Sequence, residues 1–127
     1  MEYRWVGLAA TLAIHDMQIA EHGGLSGVRD LGLLESALAR PLQLLAYGEP
    51  DVAALAGCYA SGLCRNHPFA DGNKRTAWLL AMTFLDLNGY DVDAEMTDAL
   101  QAMLSVAAGT VPEEDFTAWL RGKLRKI

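Results

Sequence analysis

Residues 52–87 read VAALAGCYASGLCRN, then HPFADG, then NKRTAWLLAMTFLDL. The first and third parts carry apolar residues three and four positions apart, a spacing typical of buried helical faces. Pro68 should end the first helix near Asn66, and the second should run from Asn73 until Asn88 and Gly89 end it. This stretch therefore predicts two packed helices joined by a short polar loop.

Helical spacing recurs along the rest of the chain, so the predicted fold class is all-α, a compact bundle of five to seven helices. Of the 127 residues, 52% are hydrophobic, which is enough for the core of one domain, and we expect a single domain over residues 1–127. No strand alternation is evident, and residues 90–92 form at most a short extended piece. Three further helices are predicted from Leu31 to about Arg40, where Pro41 ends the helix, from an Asp93 cap onward, and from Pro112 to about Lys126. The first helix carries a mostly apolar stripe made of Trp5, Leu8, Ala9, Leu12, Ala13, Asp16, Ile19 and Ala20.

The charge balance excludes some kinds of partner. Ten basic residues against 16 acidic ones give a formal charge of −6, which argues against direct nucleic-acid binding or a membrane surface.

The apolar run from Thr76 to Leu85 is about half the length of a membrane span. Cys58 and Cys64 lie about 9 Å apart along one predicted helix, too far for a disulfide. We therefore expect a reduced, cytoplasmic setting.

The loop and the start of the helix after it predict an anion site. Gly72 permits backbone conformations closed to other residues, and the following helix directs free N–H groups toward the loop. Lys74 and Arg75 fall in the first turn, where the helix dipole disfavours cations. A bound polyphosphate would compensate, because side chains lean toward the N-terminus of a helix and can reach back over it.

Two further loop residues suit phosphoryl chemistry. Asp71 offers a carboxylate oxygen of the kind that Mg²⁺ combines with phosphate oxygens. His67 has a side chain suited to taking a proton from an attacking hydroxyl. The plainer interpretation is an ordinary turn beside two solvated cations, and the residues alone leave both interpretations open. Phe69 is expected to be structural and to anchor the loop in the core.

The run His67-Pro68-Phe69-Ala70-Asp71-Gly72-Asn73-Lys74-Arg75 resembles the motif of the Fic/Doc superfamily. Lysine before the arginine resembles the Doc (death on curing) toxin branch. The resemblance extends to the N-terminal half of Doc-like proteins through Ile14-His15-Asp16, residues 23–30, Leu33, Leu34 and Ala37.

The resemblance implies a helical Fic fold that binds ATP with Mg²⁺ at the loop. It makes His67 the general base that activates a target hydroxyl, and Asp71 the metal ligand. The implied phosphate cradle consists of Gly72, Asn73, Lys74 and Arg75. Doc-like proteins transfer the γ-phosphate of ATP to a threonine of translation elongation factor Tu, which blocks translation.

Departures from the family patterns leave more than one reaction open. Most AMP-transferring Fic enzymes have glycine where Lys74 stands and a further arginine where Trp78 stands, so this chain favours phosphate transfer. Gly72 instead matches the AMP-transferring enzymes, because the Doc pattern has alanine at this position. AMP transfer to a protein hydroxyl is therefore the second hypothesis. The third is a catalytically silent module that binds a nucleotide or a partner.

Other motifs carry weaker predictions. His15 and Asp16 resemble a pair used by some metal phosphohydrolases, and His22 lies near the same face, but a polar patch on the first helix explains them more simply. Residues 23–30 are either a glycine-rich turn or, by resemblance, a loop beside the active site that helps to receive the target. The spacing around Gly72 excludes a Walker A phosphate loop. Trp5, Trp78 and Trp119 are expected in the core or in the wall of a groove.

Restraint of the activity is expected to come from a second protein. Many Fic proteins inhibit themselves with a helix that bears Ser or Thr, three further residues, then Glu and Gly or Asn. Thr110 and Glu114 have this spacing, but Asp115 stands where the motif has Gly or Asn. By resemblance to Doc-like systems, we expect a small, partly disordered, Phd-like antitoxin whose segment folds into a groove between helices.

Overall fold

The structure, a computed structural model, describes residues 2–127. The described residues form six helices and one two-stranded sheet, which confirms the predicted all-α class. The elements in chain order are α1 (Leu8–His22), α2 (Leu31–Tyr47), α3 (Val52–Asn66), α4 (Asn73–Leu87), β1 (Tyr90–Val92), α5 (Met96–Ala108), α6 (Glu113–Lys123) and β2 (Leu124–Lys126).

Helix α3 is the centre of the bundle. Twelve of its 15 residues are buried, and α2, α4, α5 and α6 all pack against it. Gly57 allows α6 to approach closely, because a Cβ at this position would overlap the hydroxyl of Thr117. The Tyr59 hydroxyl accepts a hydrogen bond from the Val6 N–H at 3.2 Å and faces the Val6 carbonyl at 3.3 Å. These contacts fix the N-terminal segment on the core.

Of the two strands, β1 is the short extended piece expected at residues 90–92, whereas β2 lies in a segment that was wrongly predicted to be helical. The last helix ends at Lys123, and the following residues pair antiparallel with residues 90–92, Asp91 opposite Arg125. The Arg125 guanidinium donates to both Asp91 carboxylate oxygens, at 3.0 and 2.9 Å. The cross-strand pair thus uses a basic residue from the segment that was predicted to end the last helix.

Two helix boundaries differ from the prediction for physical reasons. Helix α2 continues through Pro41 to Tyr47, although proline removes a helical hydrogen bond and was expected to end the helix at Arg40. Pro41 is buried and α2 packs along α3, so burial outweighs the local penalty. The cap of α5 is Glu95 instead of Asp93. Asp93 instead donates its N–H to the Lys123 carbonyl, which extends the strand pairing.

The face that α1 turns to the core overlaps only partly with the predicted stripe, of which Leu8 and Leu12 pack against the core. Its buried residues are Thr11, His15 and Gln18, whereas Ala9 and Asp16 on the predicted stripe are exposed. The reason lies at the loop after α3, where the buried histidine has a hydrogen-bonding partner.

No helix within residues 2–127 combines the length and the apolar character that crossing a membrane requires.

Candidate active site

The loop of residues 67–72 joins the two most closely packed helices and is held in an unusual backbone conformation at both ends. His67 ends α3 in the left-handed region, at φ 51° and ψ 53°, and is the one non-glycine residue among residues 2–127 with positive φ. Gly72 begins α4 in the same region, at φ 75°. Because β-carbons disfavour this region, the histidine conformation must be stabilised by its surroundings.

Asn73 organises the loop from its own helix. Its Oδ1 accepts from the Phe69 N–H and its Nδ2 donates to the Phe69 carbonyl, both at 3.0 Å. The residue is 4% exposed and Phe69 is 0% exposed, so the pair anchors the loop to the core as predicted for Phe69. The side chain of Asn73 is thereby committed to the loop backbone. Its predicted place in a phosphate cradle therefore concerns its backbone N–H.

The same amide orients the His67 ring. Asn73 Nδ2 lies 3.3 Å from His67 Nδ1, and the bonds to Phe69 fix which end of the amide carries the hydrogens. In this contact Nδ1 accepts, so Nε2 of a neutral ring carries the proton. A base that works through Nε2 needs the other tautomer, in which Nδ1 carries the proton and cannot accept this bond.

Asp71 presents its carboxylate at the exposed side of the loop. Oδ1 accepts from the Gly72 N–H at 3.0 Å and Oδ2 from the Leu25 N–H at 3.3 Å. Gly24 packs so closely that an added Cβ would lie 2.7 Å from Oδ2. Both oxygens keep lone pairs free beyond these single bonds, so the donor chemistry fits a divalent cation that is shared with phosphate oxygens.

Residues 25–30 form a strap over the loop, which confirms that this glycine-rich stretch lies beside it. The N–H groups of Arg29 and Asp30 donate to the Pro68 carbonyl at 2.7 and 3.0 Å, and the Ala70 N–H donates to the Gly27 carbonyl at 3.1 Å. The Arg29 guanidinium donates to the carbonyls of Asn66 and His67, which end α3. This cation therefore balances the negative end of the α3 dipole and supports the strained histidine.

His15 supports the loop from below, a role that the sequence analysis missed. Its Nε2 lies 2.8 Å from the Asp71 carbonyl oxygen, and its ring stacks on Phe69 with centroids 3.8 Å apart and planes 5° apart. The side chain is 2% exposed, which is the reason for the rotated face of α1. Polar residues at positions 11, 15 and 18 were the available signal, but only the packed structure shows that this face is buried.

The structure does not bring all three candidate α1 ligands together, although His15 Nδ1 lies 4.0 Å from the Asp16 carboxylate. His22 is 41% exposed and lies near Glu21, whereas His15 is buried in the bond to the loop. Within residues 2–127, no group of three histidine, cysteine or carboxylate side chains is placed to hold a metal. The interpretation as a polar patch therefore describes Asp16 and His22, which are exposed, but not His15, which is buried.

Lys74 and Arg75 lie exposed on the first turn of α4, as the sequence predicted. Neither forms an ion pair within the described part of the chain, and this turn contains no acidic residue. Gly72 supplies no capping side chain, and the first helical bond comes from the Thr76 N–H to the Gly72 carbonyl. The N–H groups of residues 73–75 are therefore free for an anion, beside two cations.

The cysteines do not supply a nucleophile. Burial raises the pKa of Cys58 and of Cys64 to about 11, and the Lys74 ammonium near Cys64 acts only partly against it. Both thiols are buried and not paired with each other, so they are protonated at neutral pH and pack as small apolar residues.

A groove of about 580 Å³ runs from the start of α4 along α1 and α5. Lys74 and Arg75 line one part of it, and Trp78 follows one helical turn further on. The apolar wall consists of Met17, Leu79, Met96, Leu100, Met103 and Leu104. Trp78 thus stands in a groove wall, as expected, and its ring lies 6.3 Å from that of Trp119.

Comparison with known proteins accords with this geometry. The model of the Fic/DOC family matches residues 5–85, which include the strap, the loop, all of α3 and most of α4. The chain belongs to the Fic/DOC family. It is 41% identical over 105 residues to "Toxin Doc" of Mycolicibacterium smegmatis, covering 79% of this chain and 80% of that protein. It is 37% identical over 102 residues to "Protein kinase doc" of Escherichia phage P1, covering 78% and 77%.

The candidate active site of this Fic/DOC protein lies inside the region that the family model matches. The matched region contains His67, Asp71 and the free N–H groups of α4, and it ends within α4. The region that the family model matches therefore includes the part of the molecule where the backbone is strained and two cations lie at the positive end of a helix.

Proposed function

We propose that this protein is a Doc-like toxin that transfers the γ-phosphate of ATP to a hydroxyl group of a target protein. The observation that carries the proposal is the meeting of an exposed imidazole with the uncapped N-terminus of α4 and its two cations. The printed names of the two relatives, a toxin and a protein kinase, support it. The proposed target is a threonine of elongation factor Tu, whose modification would block translation.

In the proposed reaction, the target hydroxyl oxygen forms a bond to the γ-phosphorus of ATP. The bond from this phosphorus to the bridging oxygen breaks, and ADP leaves with that oxygen. His67 Nε2 takes the hydroxyl proton when the neutral ring carries its own proton on Nδ1. To reach that state, the ring leaves the contact with Asn73 Nδ2 and exchanges its proton with solvent. Lys74, Arg75 and the N–H groups at the start of α4 stabilise the negative charge on the phosphate oxygens.

Asp71 is the residue that would hold Mg²⁺. The cation would neutralise charge on the phosphate oxygens when bound. The contact of Asp71 with the Leu25 N–H links this carboxylate to the strap. The strap then presents the target hydroxyl beside His67, because its residues are bonded to the loop backbone on both sides of Phe69.

Labelled nucleotide distinguishes this proposal from its alternatives. The protein is incubated with Mg²⁺, purified elongation factor Tu or bacterial extract, and ATP labelled at the α- or the γ-phosphate. Transfer of the γ label supports the kinase, whereas transfer of the α label supports the AMP transferase that Gly72 favours. Transfer of neither label would leave a silent binding module and refute the proposal.

Matched variants connect the transfer to the loop. His67→Ala and Asp71→Asn should each reduce transfer at least 100-fold, within the range typical of lost acid–base or electrostatic catalysis. Asp115→Asn changes an equally exposed carboxylate in α6 and should leave the rate unchanged. Loss of transfer in the Asp115 variant as well would show that the assay reports folding instead of chemistry.

We further propose that a small Phd-like antitoxin restrains the toxin by folding a segment into the groove between α1, α4 and α5. Support comes from α5, whose Met96 and Leu100 are 86% and 60% exposed on this groove. Expression of the chain alone should arrest bacterial growth, and co-expression of the protein from an adjacent small open reading frame should restore it. Growth unaffected by the chain alone would contradict the proposal.

A further inference from the structure

Arg29 lies in the strap, and its guanidinium reaches the end of α3. Its Nε donates to the His67 carbonyl at 2.9 Å, and its Nη2 donates to the carbonyls of Asn66 and His67. The last carbonyls of an α-helix have no partner within the helix, and a planar guanidinium can bond two of them through separate N–H groups. One side chain thus satisfies both carbonyls at the turn that leads into the loop.

The strap has other bonds that hold it without this guanidinium. The N–H groups of Arg29 and Asp30 donate to the Pro68 carbonyl at 2.7 and 3.0 Å. Asn66 Nδ2 donates to the Leu33 carbonyl at 2.8 Å, which ties the end of α3 to the start of α2. None of these bonds uses the Arg29 side chain, so they remain available when that side chain is shortened. The guanidinium bonds therefore act chiefly on the histidine turn itself.

This turn matters for the chemistry because the backbone of His67 sets the direction of its ring. The residue is held at φ 51° and ψ 53°, a region that β-carbons disfavour, and these angles determine where the Cα–Cβ bond points. Within residues 2–127 the exposed imidazole has a single hydrogen-bonding contact, at 3.3 Å from Asn73 Nδ2. That contact alone fixes the ring weakly. Relaxation of the turn to negative φ would redirect the Cα–Cβ bond and carry the ring away from its place beside Asn73.

We propose that Arg29 is a positioning residue for the transfer reaction, which keeps the His67 imidazole beside the start of α4 by holding the carbonyls at the end of α3. This inference rests on the proposed function, in which His67 takes the proton of the target hydroxyl. The Arg29 side chain acts through backbone carbonyls and needs no contact with ATP. A misplacement of about 1 Å can cost about 100-fold in rate. Loss of Arg29 should therefore lower the rate of transfer and leave the affinity for ATP unchanged.

The first test measures transfer of the γ label by the wild type, Arg29→Ala, Arg29→Lys and Arg65→Ala, with kcat and the KM for ATP determined separately. Arg29→Ala should lower kcat about 10- to 100-fold and leave the KM for ATP within about 2-fold of the wild type. Arg29→Lys keeps the charge but cannot bond both carbonyls in the same way, so it should recover only part of kcat. Arg65→Ala is the matched control and should keep the wild-type kcat, because Arg65 is an exposed cation in the last turn of α3 that does not bond these carbonyls. Thermal melting of each variant shows that it is folded.

A comparison of stabilities tests the same contact without a substrate. Glycine is relaxed at positive φ and alanine is not, so His67→Gly should unfold at a higher urea concentration than His67→Ala while Arg29 holds the turn. When each is combined with Arg29→Ala, the turn can relax and the difference between the two urea midpoints should shrink. A role of Arg29 confined to the general stability of the strap would leave this difference unchanged.

Several outcomes would overturn the inference. An unchanged kcat in folded Arg29→Ala would refute it, and so would a loss of the same size in Arg65→Ala. A higher KM for ATP at unchanged kcat would assign Arg29 to nucleotide binding and contradict a positioning role. A wild type that transfers neither label would refute the proposed function. The two urea midpoints would then still decide whether Arg29 holds the His67 turn, and an undiminished difference between them would refute that as well.

Discussion

Replacing His15 with leucine tests whether α1 holds the loop in place. The substitution keeps a side chain of similar size but removes the ring nitrogen that lies 2.8 Å from the Asp71 carbonyl oxygen. The bond is part-buried, and an acceptor that loses its partner away from bulk water costs about 1 to 3 kcal/mol. Loss of the parallel stack on Phe69, with centroids 3.8 Å apart, adds about 0.5 to 1.5 kcal/mol. We therefore expect the free energy of unfolding to fall by about 2 to 4 kcal/mol.

Urea denaturation followed by tryptophan fluorescence measures this change, with the slope m as a check that the transition stays two-state. His15→Gln retains an N–H donor and should recover part of the loss. His22→Leu makes the same kind of change on the same helix, at a residue 41% exposed, and should alter stability by less than about 0.5 kcal/mol. If His15→Leu unfolded at the same urea concentration as the wild type, the loop would not depend on α1 and the reasoning would be wrong.

Three further substitutions test other parts of the fold. His67→Gly should be about 1 kcal/mol more stable than His67→Ala in denaturant unfolding, because only glycine is relaxed at φ 51°; equal stabilities would show that the position is not strained. Gly57→Ala should cost about 1 to 3 kcal/mol by overpacking against Thr117, and Thr117→Ala in the same chain should recover much of it; additive effects in the double variant would contradict the close contact. The Arg121 guanidinium lowers the pKa of Asp51 below its ordinary value of 3.8, so the stabilisation from Asp51 is present above about pH 4 and is lost as the pH falls through the lowered pKa. Asp51→Asn, which keeps an acceptor for the helix cap, should flatten the decline of the melting temperature in this acidic range, and an unchanged decline would exclude this pair as its source.

The loop and its two helices were predictable because residues within the segment itself determine where each helix begins and ends. Pro68 and Gly72 mark the helix ends whatever the rest of the chain does, and the apolar spacing on either side is continuous. The exposed placement of Lys74 and Arg75 also follows from helix position alone. These features are the ones that the structure confirms most directly.

The failures have a common cause in long-range contacts. Pro41 should end a helix by any local rule, and it does not because the segment after it is still buried along α3. The strand after Lys123 exists only because residues 90–92 supply its partner, more than 30 positions earlier in the chain. His15 reads as an exposed polar residue until the loop that it holds is placed above it. No window of neighbouring residues contains that information.

The contrast between two helix starts shows where this chain gives up stability. Helix α6 has three acidic residues in its first turn, whereas α4 has none and carries Lys74 and Arg75 instead. Each charge of the favourable sign at a helix N-terminus stabilises by about 0.3 to 1 kcal/mol, and the opposite sign destabilises similarly. The sequence thus follows the rule at α6 and breaks it at α4, beside its strained histidine. An anion bound at the start of α4 would offset the unfavourable interaction of these two cations with the helix dipole. The same two cations thus cause the local loss of stability and the proposed affinity for phosphate.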